Sequence, residues 1–97
     1  MMVSIDYLSY LSFHEEAIKA NPNDYLAYIS YGNALQELKR FDDSVVCYDY
    51  AIKINPSYAE SFLRRGMALK NLNRSQEALA DFKYALTLKP NHKDKKI

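Results

Sequence analysis

One phrase occurs three times in this chain. Ala17-Ile18-Lys19-Ala20-Asn21-Pro22, Ala51-Ile52-Lys53-Ile54-Asn55-Pro56 and Ala85-Leu86-Thr87-Leu88-Lys89-Pro90 follow one another at steps of 34 residues. Gly32 and Gly66, Ala34 and Ala68, Leu35 and Leu69, Leu38 and Leu72, and Arg40 and Arg74 keep the same spacing. A fixed period of this length means that one supersecondary unit is copied and stacked, because a single unit cannot bury its own apolar face.

Within each period the apolar residues recur at three and four. Tyr28, Tyr31, Leu35 and Leu38 do so, then Phe62, Leu69 and Leu72, which marks one face of a helix. A second helix follows in each period, carrying Val45, Tyr48, Ala51 and Ile52, then Ala78, Phe82, Ala85 and Leu86. Helices are predicted near residues 5–20, 24–38, 42–54, 58–72 and 75–88. Asn23-Asp24 and Ser57 stand where N-caps belong, Ser57 and Glu60 have capping-box spacing, and each proline falls after a helix it cannot continue. Gly32 and Gly66 each cost a helix about 1 kcal/mol relative to alanine, so their recurrence implies close approach of the paired helices. Ala51 and Ala85 suit the same approach from the second helix, and Tyr28, Tyr48, Phe62 and Phe82 are expected to fill the space between hairpins.

Composition narrows the function classes. Of 97 residues, 48% are hydrophobic and 26% charged, with 2 Gly and 3 Pro, as in a folded all-helical domain. A net charge of +1 gives no field to steer nucleic acid or an anionic membrane. The basic tail His92-Lys93-Asp94-Lys95-Lys96 is expected to be a solvated end. The lone Cys47 cannot form an internal disulfide, and Ser4, Asp6, Ser9 and Ser12 interrupt the apolar N-terminus, so the expected setting is reducing and cytoplasmic. No nucleophile–base pair, paired carboxylates or phosphate loop is present, so no enzyme and no cofactor are expected. His14 and His92 have no neighbour at metal-ligand spacing, and Cys47 reads as a packed or half-exposed thiol. Asp42-Asp43 and Glu15-Glu16 read as helix-dipole partners and solvated charge. Tyr25, Tyr50 and Tyr58 fall off the packing positions and are candidates for core edges or surface contacts.

The period and its residues resemble the tetratricopeptide repeat (TPR) family over residues 7–90. The resemblance rests on Tyr28, Tyr31, Gly32, Leu35, Ser44, Tyr48, Ala51 and Pro56, then on Phe62, Gly66, Leu69, Ala78, Phe82, Ala85 and Pro90. It implies an all-α, alpha-alpha superhelix of about two and a half repeats. Residues 1–22 would form an N-terminal helix like the second of an incomplete repeat, 23–56 and 57–90 two full repeats, and 91–97 a basic tail. Arg65 and Ser75 depart from the family's apolar and aromatic positions, and Tyr28 and Phe62 replace its tryptophan, which is expected to soften the second repeat.

Such arrays hold peptide segments on the concave side, lined by the first helix of each repeat. Projection places Leu26, Ile29, Ser30, Asn33 and Gln36 there from one helix, and Glu60, Leu63, Arg64, Met67 and Lys70 from the next. Asn33 and Gln36 suit a peptide backbone, and Arg64 suits a carboxylate unless Glu60, one turn earlier, occupies it. A chaperone-type carboxylate clamp is disfavoured, because Ile29, Glu60 and Ser30 stand where its lysines and an asparagine would be. The expected partner is therefore a protein or peptide, not nucleic acid or membrane. The alternative is a homo-oligomer: with no polar capping helix expected after Pro90, Leu79, Phe82 and Leu86 would stay partly wet, and the first helix, with Tyr7, Leu8, Tyr10, Leu11 and Phe13, would be free to exchange.

Overall fold

The computed structural model describes residues 7–88, with side-chain surroundings from residue 9 onward. The beginning of the expected first helix, the side chains of Tyr7 and Leu8, Pro90 and the basic tail lie outside the described residues. Five helices follow in order: α1 (Tyr7–Ala20), α2 (Tyr25–Glu37), α3 (Phe41–Ile54), α4 (Ala59–Asn71) and α5 (Ser75–Leu88). Among the described residues there is no strand, and the molecule is an all-α helical repeat superhelix. Helix α2 pairs with α3 and α4 with α5, while α1 packs on α2 and α3 on α4.

Local chemistry sets the helix ends. Asp24 caps α2, its carboxylate accepting the Leu26 N–H at 3.0 Å. The capping box expected at Ser57 and Glu60 does not form. Asn55 Oδ1 instead accepts the Ser57 N–H at 3.1 Å, Tyr58 takes the N-cap without a side-chain bond, and Glu60 turns to Arg64. The turn inside each hairpin repeats in detail. Arg40 N–H bonds to the Leu35 carbonyl and Lys39 N–H to Gln36, just as Arg74 bonds to Leu69 and Asn73 to Lys70. This double bond closes a helix around a left-handed residue, and Lys39 and Asn73 both have φ of 64°. Asparagine tolerates that conformation more readily than lysine.

Among the described residues, two clusters of buried side chains join neighbouring elements. Leu11, Ala34, Leu35 and Cys47 tie α1 to the first hairpin, with Tyr31 and Leu38 at their edge. Ile29, Tyr48, Ala51 and Ala68 join the two hairpins, flanked by Tyr25, Tyr28, Phe41, Val45 and Tyr58. The aromatic rings expected between hairpins also pack inside them: a Cβ on Gly32 would lie 2.7 Å from the Tyr48 ring, and one on Gly66 2.6 Å from that of Phe82. Tyr25 and Tyr58 meet edge-on at 5.0 Å as core edges, whereas Tyr50 is exposed and stacks on Tyr28 at 5.4 Å.

Arg65, at a position expected to be apolar, is built into a polar network. Its Nε and Nη2 donate to both carboxylate oxygens of Asp81 and its Nη1 to Asp49, each at 2.8 Å, and the guanidinium lies over the Phe62 ring at 5.5 Å. One side chain of α4 thereby ties α3 to α5. The Asp81 hydrogen bonds hold the guanidinium more firmly protonated than in water, outweighing the opposing effect of burial.

Ser61 is fully buried on α4, and its hydroxyl is the one buried side-chain polar atom among the described residues without a hydrogen-bond partner. Its equivalent one period earlier is Ala27. An unsatisfied buried hydroxyl costs about 1–3 kcal/mol, and alanine is the better helix former. Ser61→Ala is therefore expected to raise the unfolding free energy by about 1 kcal/mol, measured by urea denaturation followed by circular dichroism.

Candidate ligand-binding face

Helices α2 and α4 each place one polar edge beside a shared pocket of about 350 Å³, lined by Asn33, Gln36, Glu37 and Arg64. Three of these four are among the residues expected at the groove. The fourth, Glu37, sits one position beyond Gln36 at the end of α2, where it accepts the Tyr10 hydroxyl of α1 at 3.2 Å. Arg64 donates Nε to Glu60 Oε2 at 2.8 Å, the occupancy one turn earlier that its spacing allowed.

Asn33 and Gln36 have a second task. The Tyr48 hydroxyl lies 2.6 Å from Asn33 Oδ1 and 2.9 Å from Gln36 Oε1. The one phenolic proton faces both amide oxygens, with Asn33 Oδ1 at the shorter distance. Burial pushes the Tyr48 phenol well above its ordinary range, so it remains a neutral donor. Two lining residues of the pocket, Asn33 and Gln36, are thus held from behind by the buried Tyr48 hydroxyl, a tyrosine–diamide group that spans the first hairpin. One period later the three positions hold Phe82, Met67 and Lys70. Where the hydroxyl is absent, both amides are absent too, a covariation within one chain that is visible in the sequence once the period is aligned.

The other expected groove residues are spread more widely. Leu26 is 48% exposed on α2, and Met67 and Lys70 are exposed on α4. Ile29, expected in the groove, is only 6% exposed and packs with Tyr48, Ala51 and Ala68, so its side chain belongs to the core between hairpins. Leu63 lines a different pocket, of about 310 Å³, with Ala59, Phe82, Ala85 and Leu86. That pocket belongs to the α4–α5 end, where Leu86 is 73% exposed and Leu79 is exposed as well, while Phe82 is half-buried. Phe82 and Leu86, two of the three residues expected for self-association, therefore have Leu63 as a neighbour, whereas Leu79 does not line this pocket.

Chemistry elsewhere is spare. Cys47 is buried, and its thiol is pushed up to about 12 by burial first and by the Asp43 carboxylate second, so it stays protonated at neutral pH. His14 is enclosed by rings, edge-on to Tyr10 and Phe13 and stacked on Tyr31. Among the described residues no three His, Cys, Asp or Glu side chains converge as a metal site, and no helix is long and apolar enough to cross a membrane.

Comparison with known proteins agrees with this architecture. Residues 59–92 match the tetratricopeptide repeat family and residues 32–73 the TPR repeat family. No curated protein matches the chain. Among solved structures, the TPR domain of OM64 from Arabidopsis is 34% identical with a TM-score of 0.82, over 87% of this chain and 69% of that one. The first TPR of Spaghetti (RPAP3), bound to the HSP90 peptide SRMEEVD, is 27% identical with a TM-score of 0.83, over 88% and 68%. MamA from AMB-1 is 26% identical with a TM-score of 0.79 over 84% of this chain, which spans about half of MamA, 48%. With its 34-residue hairpins, its paired glycine–aromatic contacts and these matches, the chain belongs to the tetratricopeptide repeat family.

Proposed function

We propose that this protein is a non-catalytic interaction module that holds a peptide or protein segment against the α2/α4 face, the concave side expected of such an array. The observation that carries the reading is the pocket shared by Asn33, Gln36, Glu37 and Arg64, polar groups from two successive repeats that converge on one opening. Gln36 and the free N–H donors of Arg64 provide main-chain hydrogen bonding, and exposed Leu26 and Met67, with Lys70 beside them, provide apolar and basic contacts on either side. Two structural neighbours are described as bound to the HSP90 peptide SRMEEVD, at 27% and 25% identity, which supports a peptide as the kind of ligand. In this chain Glu37 and Glu60 place carboxylates around Arg64, which disfavours a strongly acidic tail and favours a segment bound through its backbone. The division into residues 1–22, 23–56, 57–90 and 91–97, and a cytoplasmic setting, belong to the same proposal.

The test is an affinity measurement on peptides selected from a display library against the whole chain, with SRMEEVD as a reference. Asn33→Asp keeps an acceptor for the Tyr48 hydroxyl while changing the pocket's charge, and Arg64→Ala removes the guanidinium. Together they are expected to weaken a groove-bound peptide by about tenfold or more. Unchanged affinity for every selected peptide would defeat the proposal.

A second reading is self-association through the α4–α5 end, favoured by the apolar pocket at Leu63, Phe82 and Leu86 and by the exposure of Leu79. Light scattering over a wide concentration range tests it. A dimer that Leu86→Asp returns to monomer supports this reading, and a monomer at every concentration removes it.

A further inference from the structure

A larger groove lies elsewhere, between α1 and α3 across α2, with a volume of about 600 Å³. Its counterpart one period later, between α3 and α5 across α4, measures about 370 Å³. The two are built on the same positions. Glu15, Tyr31, Leu35, Arg40, Asp43 and Cys47 of the first correspond to Asp49, Arg65, Leu69, Arg74, Glu77 and Asp81 of the second. The larger groove also reaches Tyr28, Tyr50 and Val46, whereas their equivalents Phe62, Tyr84 and Ala80 do not line the smaller one.

What differs is the occupant. In the second groove the guanidinium of Arg65 lies over the Phe62 ring and is held by Asp49 and Asp81. Phe62 and Tyr84 close edge-on beside it at 4.7 Å. In the first, Tyr31 replaces the arginine and Cys47 replaces the deep carboxylate. The ring pair Tyr28–Tyr50 instead lies nearly parallel, 24° apart, with Tyr50 half exposed. The acid at the rim remains: Glu15 accepts the Tyr31 hydroxyl at 2.9 Å and has no cationic partner among the described residues. The other charges facing the groove are answered locally, Asp43 by both Nε and Nη2 of Arg40, and Lys19 by Glu16 at 3.5 Å. An aromatic wall, aliphatic sides at Ile18 and Val46 and one carboxylate without a counter-charge together suit a planar cation with an apolar stem.

We infer that the α1/α3 groove is a binding site for an arginine side chain of a partner polypeptide, its guanidinium lying on the Tyr28–Tyr50 rings with Glu15 as counter-ion, in the manner that Arg65 fills the equivalent place within the chain. This site is separate from the α2/α4 face and does not depend on what binds there.

The probe is acetyl-Gly-Arg-Gly-amide, titrated into isotope-labelled protein and followed by NMR at Tyr28, Tyr50 and Val46, with acetyl-Gly-Leu-Gly-amide as the comparison. Saturable shifts of these residues by the arginine peptide, with weaker shifts by the leucine peptide, are expected. Glu15→Gln still accepts the Tyr31 hydroxyl but removes the charge, and is expected to weaken the arginine peptide by about fivefold or more. Tyr31→Arg combined with Cys47→Asp copies the filled groove and is expected to abolish binding. Absence of shifts at these residues, equal shifts by the leucine peptide, or undiminished binding to Glu15→Gln would each overturn the assignment. The glutamine variant decides the matter even if the double substitution does not fold.

Discussion

Replacing Arg65 with methionine is expected to lower the unfolding free energy by about 2–4 kcal/mol. The side chain of Asp81 is only 9% exposed and that of Arg65 24%, so removal of the arginine leaves a largely buried carboxylate without its two charged hydrogen bonds. Asp49, at 53% exposure, is answered by solvent and adds little. The period supplies the compensating variant, since the equivalent positions hold Tyr31 and Cys47 in a groove that the fold accommodates. Arg65→Tyr combined with Asp81→Cys should therefore be more stable than Arg65→Met, because the introduced phenol can donate to Asp49 as Tyr31 donates to Glu15. Urea denaturation of the set measures this. A methionine variant within about 0.5 kcal/mol of wild type would show that the ion network contributes little.

Gly32→Ala is expected to cost about 1–3 kcal/mol net, although alanine gains about 1 kcal/mol in helix propensity. The new methyl would meet three Tyr48 ring carbons at 2.7–3.0 Å. That ring is fully buried and its hydroxyl is fastened to Asn33 and Gln36, so it has nowhere to move. Gly66→Ala faces an equally close ring, that of Phe82, and a carbonyl at 3.2 Å. Phe82, however, is only half-buried at the α4–α5 end and has no hydroxyl to anchor it, so the ring can shift and the loss should be smaller. Thermal unfolding separates the two, because each kcal/mol moves Tm by roughly 4–8 °C in a domain of this size. Equal losses would mean that the tyrosine–diamide group does not stiffen the first hairpin.

These two cases also show where the sequence was legible. The 34-residue period gives five helices whose ends fall within two residues of those observed for α2 to α5, because hydrophobic spacing and proline punctuation are local signals. Gly32 and Gly66 announced close approach, since a glycine in mid-helix otherwise only destabilises. Arg65 was opaque because its partners lie 16 residues away on each side, and their convergence depends on how three helices cross. The same holds for the face. Asn33, Gln36 and Arg64 were placed together by projection, but Ile29 packs into the core between hairpins and Leu63 faces the chain's α5 side, because a projection of single helices does not carry the packing of their neighbours. At residue 57 the capping pattern lost to Asn55, whose side chain reached the same backbone first. The left-handed residues Lys39 and Asn73 carried no glycine to mark them.

The most direct test of the peptide-binding account is amide chemical-shift mapping on the whole chain with the tightest peptide obtained by display selection. The account predicts that the largest saturable changes fall on Leu26, Asn33, Gln36, Arg64 and Met67, with little effect at Leu79 and Leu86. Changes concentrated at the α4–α5 end, with the α2/α4 residues unmoved at saturation, would contradict it.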